Sequence, residues 1–293
     1  MPSLKELRKR IDSVKSTRKI TSATKMVAAS KLRRAQEWAE AARPFAQHMS
    51  RVMASVAAGM PRTEDMPKLL IGTGKDQTVL VVIITSDRGL CGALNSSLLR
   101  VARRRINAML AEGKTVKILA VGRKGRDSLR RDHAARLVAG PDTSKIRRIS
   151  FADAKAIAEQ ITTMYDNGEF DRCIIFYNTF KSVISQVPTE KQLIPVAIPE
   201  GGGAKLEGDA SYEAEPDEGE ILLELLPRNL AVQVLNAMLE NNASFQGAQM
   251  SAMDAATRNA GDMISRLTLS YNRARQATIT KELIEIISGA EAV

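Results

Sequence analysis

Histidine and cysteine are nearly missing from this 293-residue chain, which has only His48, His133, Cys91 and Cys173. The two cysteines stand 82 positions apart with no CxxC spacing, and neither histidine clusters with them. That excludes a disulfide framework and argues against a metal centre; it fits a reducing compartment or plain core use. Long apolar runs are lacking too. The longest unbroken one covers residues 79–84, far short of the roughly 20 residues that span a bilayer. Aromatic residues make up only 4% of the chain, so its basic segments are not interleaved with the stacking platforms of single-strand nucleic-acid binders. Glycines are present but form no GxGxxG, and Gly72-Thr73-Gly74-Lys75 fails as a P-loop because Asp76 follows it and a strand comes after it. No nucleophile, base and orienter group together. Asp87 beside Arg88 reads as an ion pair in a turn. Neither catalytic residues nor a cofactor are expected.

What the chain does have is a stripe. Stepping by heptads from Leu4, the positions are Leu4, Leu7, Ile11, Val14, Arg18, Thr21, Lys25, Ala28, Leu32, Ala35, Ala39, Ala42, Ala46, Met49, Met53 and Val56. Only Arg18, Thr21 and Lys25 interrupt an apolar line, which is the mark of a coiled-coil helix. Ser3 and Glu6 make a capping box at its start, and Pro44 is expected to kink it or remove a hydrogen bond. Some 53 residues at about 1.5 Å each span roughly 80 Å, so this helix is predicted to project from any domain the chain builds. A partner of similar length exists only in the last third, where apolar residues recur at Val232, Leu235, Leu239, Met253, Ala256, Ala260, Met263, Leu267, Ala274 and Ala277. The two are predicted to wind together in antiparallel sense. Because the stripe runs from Leu4 past Ala28 without a cleavage-like break, Met1 is expected to lie close to the mature start.

Between the helices the period changes. Residues 78–85 form a β-branched, apolar run typical of a strand buried on both faces. A glycine-bearing turn follows, in which Gly89 and Gly92 permit a tight strand-to-helix passage. Helix is then expected over 93–112, strand over 115–121, helix over 123–132, a short strand over 136–139, helix over 151–167 and strand over 171–177. Residues 183–187 and 193–197 read as two antiparallel edge additions. The fold class is α/β: a long antiparallel coiled coil of N- and C-terminal helices plus a Rossmann-like open α/β domain. Its boundaries are a first helix over 1–60, a globular domain over 75–198, an acidic linker over 199–220 and a second helix over 221–293.

The net charge of +10 is unevenly spread. Residues 1–51 hold thirteen Lys/Arg against four acids, whereas 199–220 hold eight acids against Lys205. The positive field is therefore assigned to the long helix. A basic rod suits nucleic acid, an anionic membrane or an acidic protein. The far C-terminus narrows this, because Ile279, Leu283, Ile284, Ile286 and Ile287 cover much of a helix circumference, too wide for one coiled-coil seam. Such a tip is expected to end inside a protein sleeve.

Four blocks point further: Lys19-Ile20-Thr21 with residues 25–32; Ser86-Asp87-Arg88-Gly89-Leu90-Cys91-Gly92-Ala93-Leu94-Asn95; residues 252–260; and Ile279-Thr280-Lys281-Glu282 running through Ser288-Gly289-Ala290. In these, and in their order, the chain resembles the gamma subunits of F-type ATP synthases. The resemblance implies a central rotary shaft, with no catalytic role of its own. The paired helices would fill a ring of three alpha and three beta subunits, and the α/β foot would sit with epsilon on the c-subunit ring. Such a protein would be peripheral to the membrane, on the cytoplasmic face of a bacterial inner membrane. By the same resemblance Gln276, Thr280, Leu283, Ile284, Ile286 and Ile287 make the bearing. Arg8, Arg10, Lys19, Lys25 and Arg275 are polar contacts to the ring, and Tyr212 and Glu215 belong to the foot against the c ring. The chain departs from the family at Thr24, where methionine is usual, at Ala214, where an aromatic is common, and at Phe245 and Gln249, which replace a usual Glu and Arg. Two alternatives remain: a basic coiled coil that binds nucleic acid with steep salt dependence, and an α/β module that ATP alone stabilises.

Overall fold

The computed structural model describes residues 3–59, 67–146, 148–196 and 218–291. Its contacts divide the chain into two units, Lys31–Ala248, and Met1–Ser30 together with Gln249–Val293. The two longest elements, α1 (Leu4–Gly59) and α6 (Glu218–Glu291), each contribute to both units.

The larger unit is built on β1 (Thr78–Ile84), the strand expected from its continuous apolar run. Alternate side chains serve opposite faces, as the two-residue period requires. Val79, Val81 and Ile83 join Leu98, Leu99, Ala102, Ile106 and Met109 of α3 (Leu94–Ala111) and Leu129 of α4 (Arg123–His133). Leu80, Val82 and Ile84 join Ile157 and Ile161 of α5 (Phe151–Asp166) and Leu230, Ala231, Val234, Ala237 and Met238 of α6. Two helices therefore cover each side of the sheet, which explains why its central strands carry almost no polar residue. The sheet order is β3-β2-β1-β4-β5, with β2 at Thr115–Val121, β3 at Leu137–Val138, β4 at Arg172–Ser182 and β5 at Ser185–Ile194. The pairs among β3, β2, β1 and β4 are parallel, and β5 is antiparallel to β4. α5 starts with a complete capping box: the Asp153 amide donates to Ser150 Oγ, and the Ser150 amide donates to Asp153 Oδ2.

Two edge additions were expected at the end of this domain, and the structure has one continuous strand instead. Pro188 sits inside β5 opposite Asn178. Because β5 is the edge of the sheet, a residue without an N–H is tolerated there. A short helix, α2 (Lys68–Ile71), also interrupts the expected link. Pro44 does not end α1, and Pro227 does not end α6.

In the smaller unit the helices pair in antiparallel sense. Leu7, Ile11 and Ala28 of α1 are buried, as are Met253 and Ala260 of α6. The polar interruptions of the stripe have partners of their own. Lys25 Nζ donates to Asp254 Oδ1 at 2.6 Å, and Thr257 Oγ1 donates to Thr21 Oγ1 at 2.8 Å. Arg18 stays exposed. Met263, expected in the seam, is exposed, and Ile264 is half-buried in its place.

Candidate partner-binding surface

The antiparallel register decides where α6 runs out of partner. With Lys25 level with Asp254 and Thr21 level with Thr257, the first described residues of α1 lie level with roughly residue 275 of α6. The helix continues to Glu291, so about 25 Å of it has no partner helix among the described residues. Ile279, Leu283, Ile284, Ile286 and Ile287 fall in that stretch and are 47–68% exposed. A surface of this kind, apolar and rimmed by charge, marks an interaction site. The charges next to it are satisfied locally, since Lys281 pairs with Glu285 at 3.4 Å. Gln276 and Thr280 are also exposed, and the Thr280 hydroxyl donates to the Gln276 carbonyl at 2.9 Å. Arg275, the residue before Gln276, is exposed as well.

The basic residues expected to meet partners divide into two kinds. Arg8 and Lys19 are exposed on α1. Arg10 is exposed and pairs along the helix with Glu6 at 2.8 Å. Lys25 is half-buried, with its charge directed to Asp254, whose carboxyl is held below the usual range first by that hydrogen bond. Asp254 is shared with Arg258 at 2.9 Å. Tyr212 and Glu215 lie outside the described residues.

The turn after β1 is filled from within. Asn95 Nδ2 donates to Ser86 Oγ at 2.7 Å, and the Ser86 amide donates to Asn95 Oδ1 at 3.2 Å. The expected ion pair of Asp87 with Arg88 is not what forms. Asp87 Oδ1 instead accepts from the Arg123 amide and the Thr143 hydroxyl, each at 2.8 Å. A carboxylate therefore occupies the N-terminus of α4, the place where a phosphate would otherwise bind. Gly92 has φ +57° as the tight turn requires, but the other left-handed residue is Leu90, at φ +63°, exposed and not a glycine. Phe245, a departure expected from the resemblance, is buried against Cys91, Leu94 and Ala248 in an apolar contact.

Positive charge is not confined to α1. Residues 100–136 carry twelve Lys/Arg against three acids. Arg103, Lys114 and Lys117 pair with Asp132, Asp76 and Glu169, while Arg100, Arg104, Arg130 and Arg131 remain exposed on α3 and α4. The sequence reading passed over this surface because its charges are spread across two helices and a strand. Among the described residues no cluster of His, Cys, Asp or Glu has the size to hold a metal ion, and no helix is long and apolar enough to cross a membrane.

A family model described as ATP synthase matches residues 3–293. The ATP synthase gamma chain of Parvibaculum lavamentivorans is 60% identical over 294 residues, covering all of both chains. That of Paracoccus denitrificans is 58% identical over 293 residues, again over both full lengths. Among solved structures, a chain from the central stalk and c-ring of Tetrahymena thermophila mitochondrial ATP synthase superposes with a TM-score of 0.59 at 30% identity, covering 81% of this chain and 99% of its own. A chain from the Euglena gracilis mitochondrial ATP synthase, in the OSCP/F1/c-ring assembly, gives 0.69 at 22% identity over 99% of this chain and 94% of its own, a likeness of fold alone.

Proposed function

Since this chain belongs to the gamma-chain family of ATP synthase, we infer that it is the central shaft of that enzyme, turning between a proton-driven c ring and the catalytic sites of an alpha–beta ring. The observation that carries this reading is the α6 tip, which outruns its partner helix and exposes five large aliphatic residues together. An apolar surface without directional bonds can turn inside an apolar sleeve, because no set of hydrogen bonds must break at each angle. Gln276, Thr280, Leu283, Ile284, Ile286 and Ile287 are assigned to that bearing. Arg8, Arg10, Lys19 and Arg275, with Lys25 in a lesser part beside Asp254, are assigned to a basic collar facing acidic loops of the ring, where charge guides fit without demanding one register.

In this reading the chain performs no bond-breaking step. It biases three identical sites by presenting a different face to each, so coupling arises from contacts that differ between states. The α/β domain works with epsilon on the c ring, and Tyr212 and Glu215 are assigned to that contact. Attachment to the cytoplasmic face of a bacterial inner membrane runs through these partners. The test is direct. With the alpha–beta ring immobilised and a probe fixed to the α/β domain, ATP is expected to drive unidirectional stepping. A probe that stays still while the ring hydrolyses ATP would remove the shaft reading.

A further inference from the structure

β4 is longer than the sheet that contains it. Its pairing with β1 stops at Phe176, yet β4 runs on to Ser182 and pairs with β5 as far as Ser185. Residues 177–189 therefore form a two-stranded ribbon, which by itself has marginal stability. Three side chains of α6 hold it. The Ser244 hydroxyl donates to the Asn178 carbonyl at 3.0 Å, and Asn178 Nδ2 donates to Asn241 Oδ1 at 3.0 Å. Glu240 Oε2 accepts from the Phe180 amide at 2.9 Å. The other Glu240 oxygen accepts from Arg43 Nε of α1 at 2.7 Å, and Arg43 Nη2 donates to the Phe180 carbonyl at 3.2 Å. One guanidinium and one carboxylate thus close around both polar groups of Phe180 and join α1, α6 and the ribbon. The Glu240 side chain is only 4% exposed. At Gly247 an added Cβ would come within 3.1 Å of the Phe180 ring, so the helix meets the ribbon there with no room to spare.

Elsewhere α6 lies on the sheet through Leu230, Ala231, Val234, Ala237 and Met238. Apolar contact opposes separation but has no preferred direction, so it offers little resistance to sliding. Nearer the start of α6 the buried amide of Asn229 has no hydrogen-bond partner among the described residues. Directional, charge-assisted bonds are concentrated at Glu240.

Resting on the shaft reading above, we propose that the Arg43–Glu240 pair closed on the Phe180 peptide is the joint that passes torque between the two long helices and the α/β domain. Both are positioning residues: they act by preventing the helices from slipping in the domain. The test uses the assembled enzyme, with the ring immobilised and a probe on the α/β domain. Glu240→Gln keeps an acceptor for the Phe180 amide and removes the charge, and Arg43→Lys keeps the charge and removes the fork. Glu240→Gln loses the ion pair with Arg43 and turns the Phe180 amide bond from charge-assisted to neutral, so it is expected to widen the angular variance of the probe by up to about twofold. ATPase of the unloaded complex should stay at the wild-type rate, while protons pumped per ATP fall in membranes. Arg43→Met with Glu240→Leu fills the site with apolar bulk, guards against misfolding, and should assemble with the same loss of coupling. Wild-type variance and pumping ratio in these variants would overturn the joint while leaving the shaft reading in place. A wild-type probe that never turns would overturn both.

Discussion

Gly122 shows how much one residue can fix. It has φ +105°, and a Cβ there would lie 2.2 Å from the Thr85 carbonyl oxygen. The Gly125 amide donates to Thr85 Oγ1 at 2.8 Å, so α4 is pressed onto the end of β1 through two positions without side chains. Gly122→Ala adds a left-handed penalty to a backbone clash and is expected to cost about 2–4 kcal/mol. Urea unfolding of the isolated chain measures this, and an unchanged midpoint would refute it. Sequence reading drew attention to Gly89 and Gly92 instead, because they stand in an obvious turn. The demand on Gly122 comes from Thr85, a neighbour only through the pairing of β1 with β2, and no local pattern reports it. The Arg43–Glu240 contact was hidden for the same reason, with its partners 197 positions apart.

Elements were far more legible than contacts. A heptad stripe is a local statement repeated many times, so α1 and the antiparallel sense of α6 followed from it. β1, β2 and α5 followed from runs of the right length, while the Ser150 cap of α5 was not read from the sequence. The polar gap at Arg18, Thr21 and Lys25 looked like a defect until Asp254 and Thr257 appeared opposite two of the three. Polar pairs of this kind fix register in a coiled coil. The edge strand was misdivided because Pro188 reads as a break, and its tolerance depends on which strand lies outermost. For the tip, Leu283→Asp should leave the isolated chain within about 0.5 kcal/mol of wild type, since the site is solvent-exposed there. In the assembly it would bury an unpaired carboxylate, and recovery of intact, ATPase-active complexes is expected to fall sharply. Normal recovery would rule out a closed sleeve.

At the scale of the whole molecule, stability has an acid limb. Asp76, Asp171 and Asp254 all have carboxyls held below their ordinary value, first by Lys114, the Thr78 amide and Lys25 respectively. A depressed folded-state pKa gives stability that is complete above the unfolded value near 4 and is lost as pH falls through the folded one. The unfolding midpoint should therefore drop between about pH 4 and 2, with a shallower drop in Asp171→Asn, following a smaller loss that begins below about pH 6.5 because burial lowers the His133 pKa; circular dichroism from about pH 7 to 2 tests it. The division into two units has a further consequence, for synthesis. The unit containing Leu7 and Ile11 is completed only by residues after Gln249. At about 5–20 residues per second, roughly 12–50 seconds separate the making of these two halves on the ribosome. Throughout that interval the first stretch of α1 has its apolar stripe and no mate, and the larger unit is itself complete only with Ala248, at the interval's end. The start of α1 therefore folds only after the far end of α6 has been made, and whatever shields it must hold it until then.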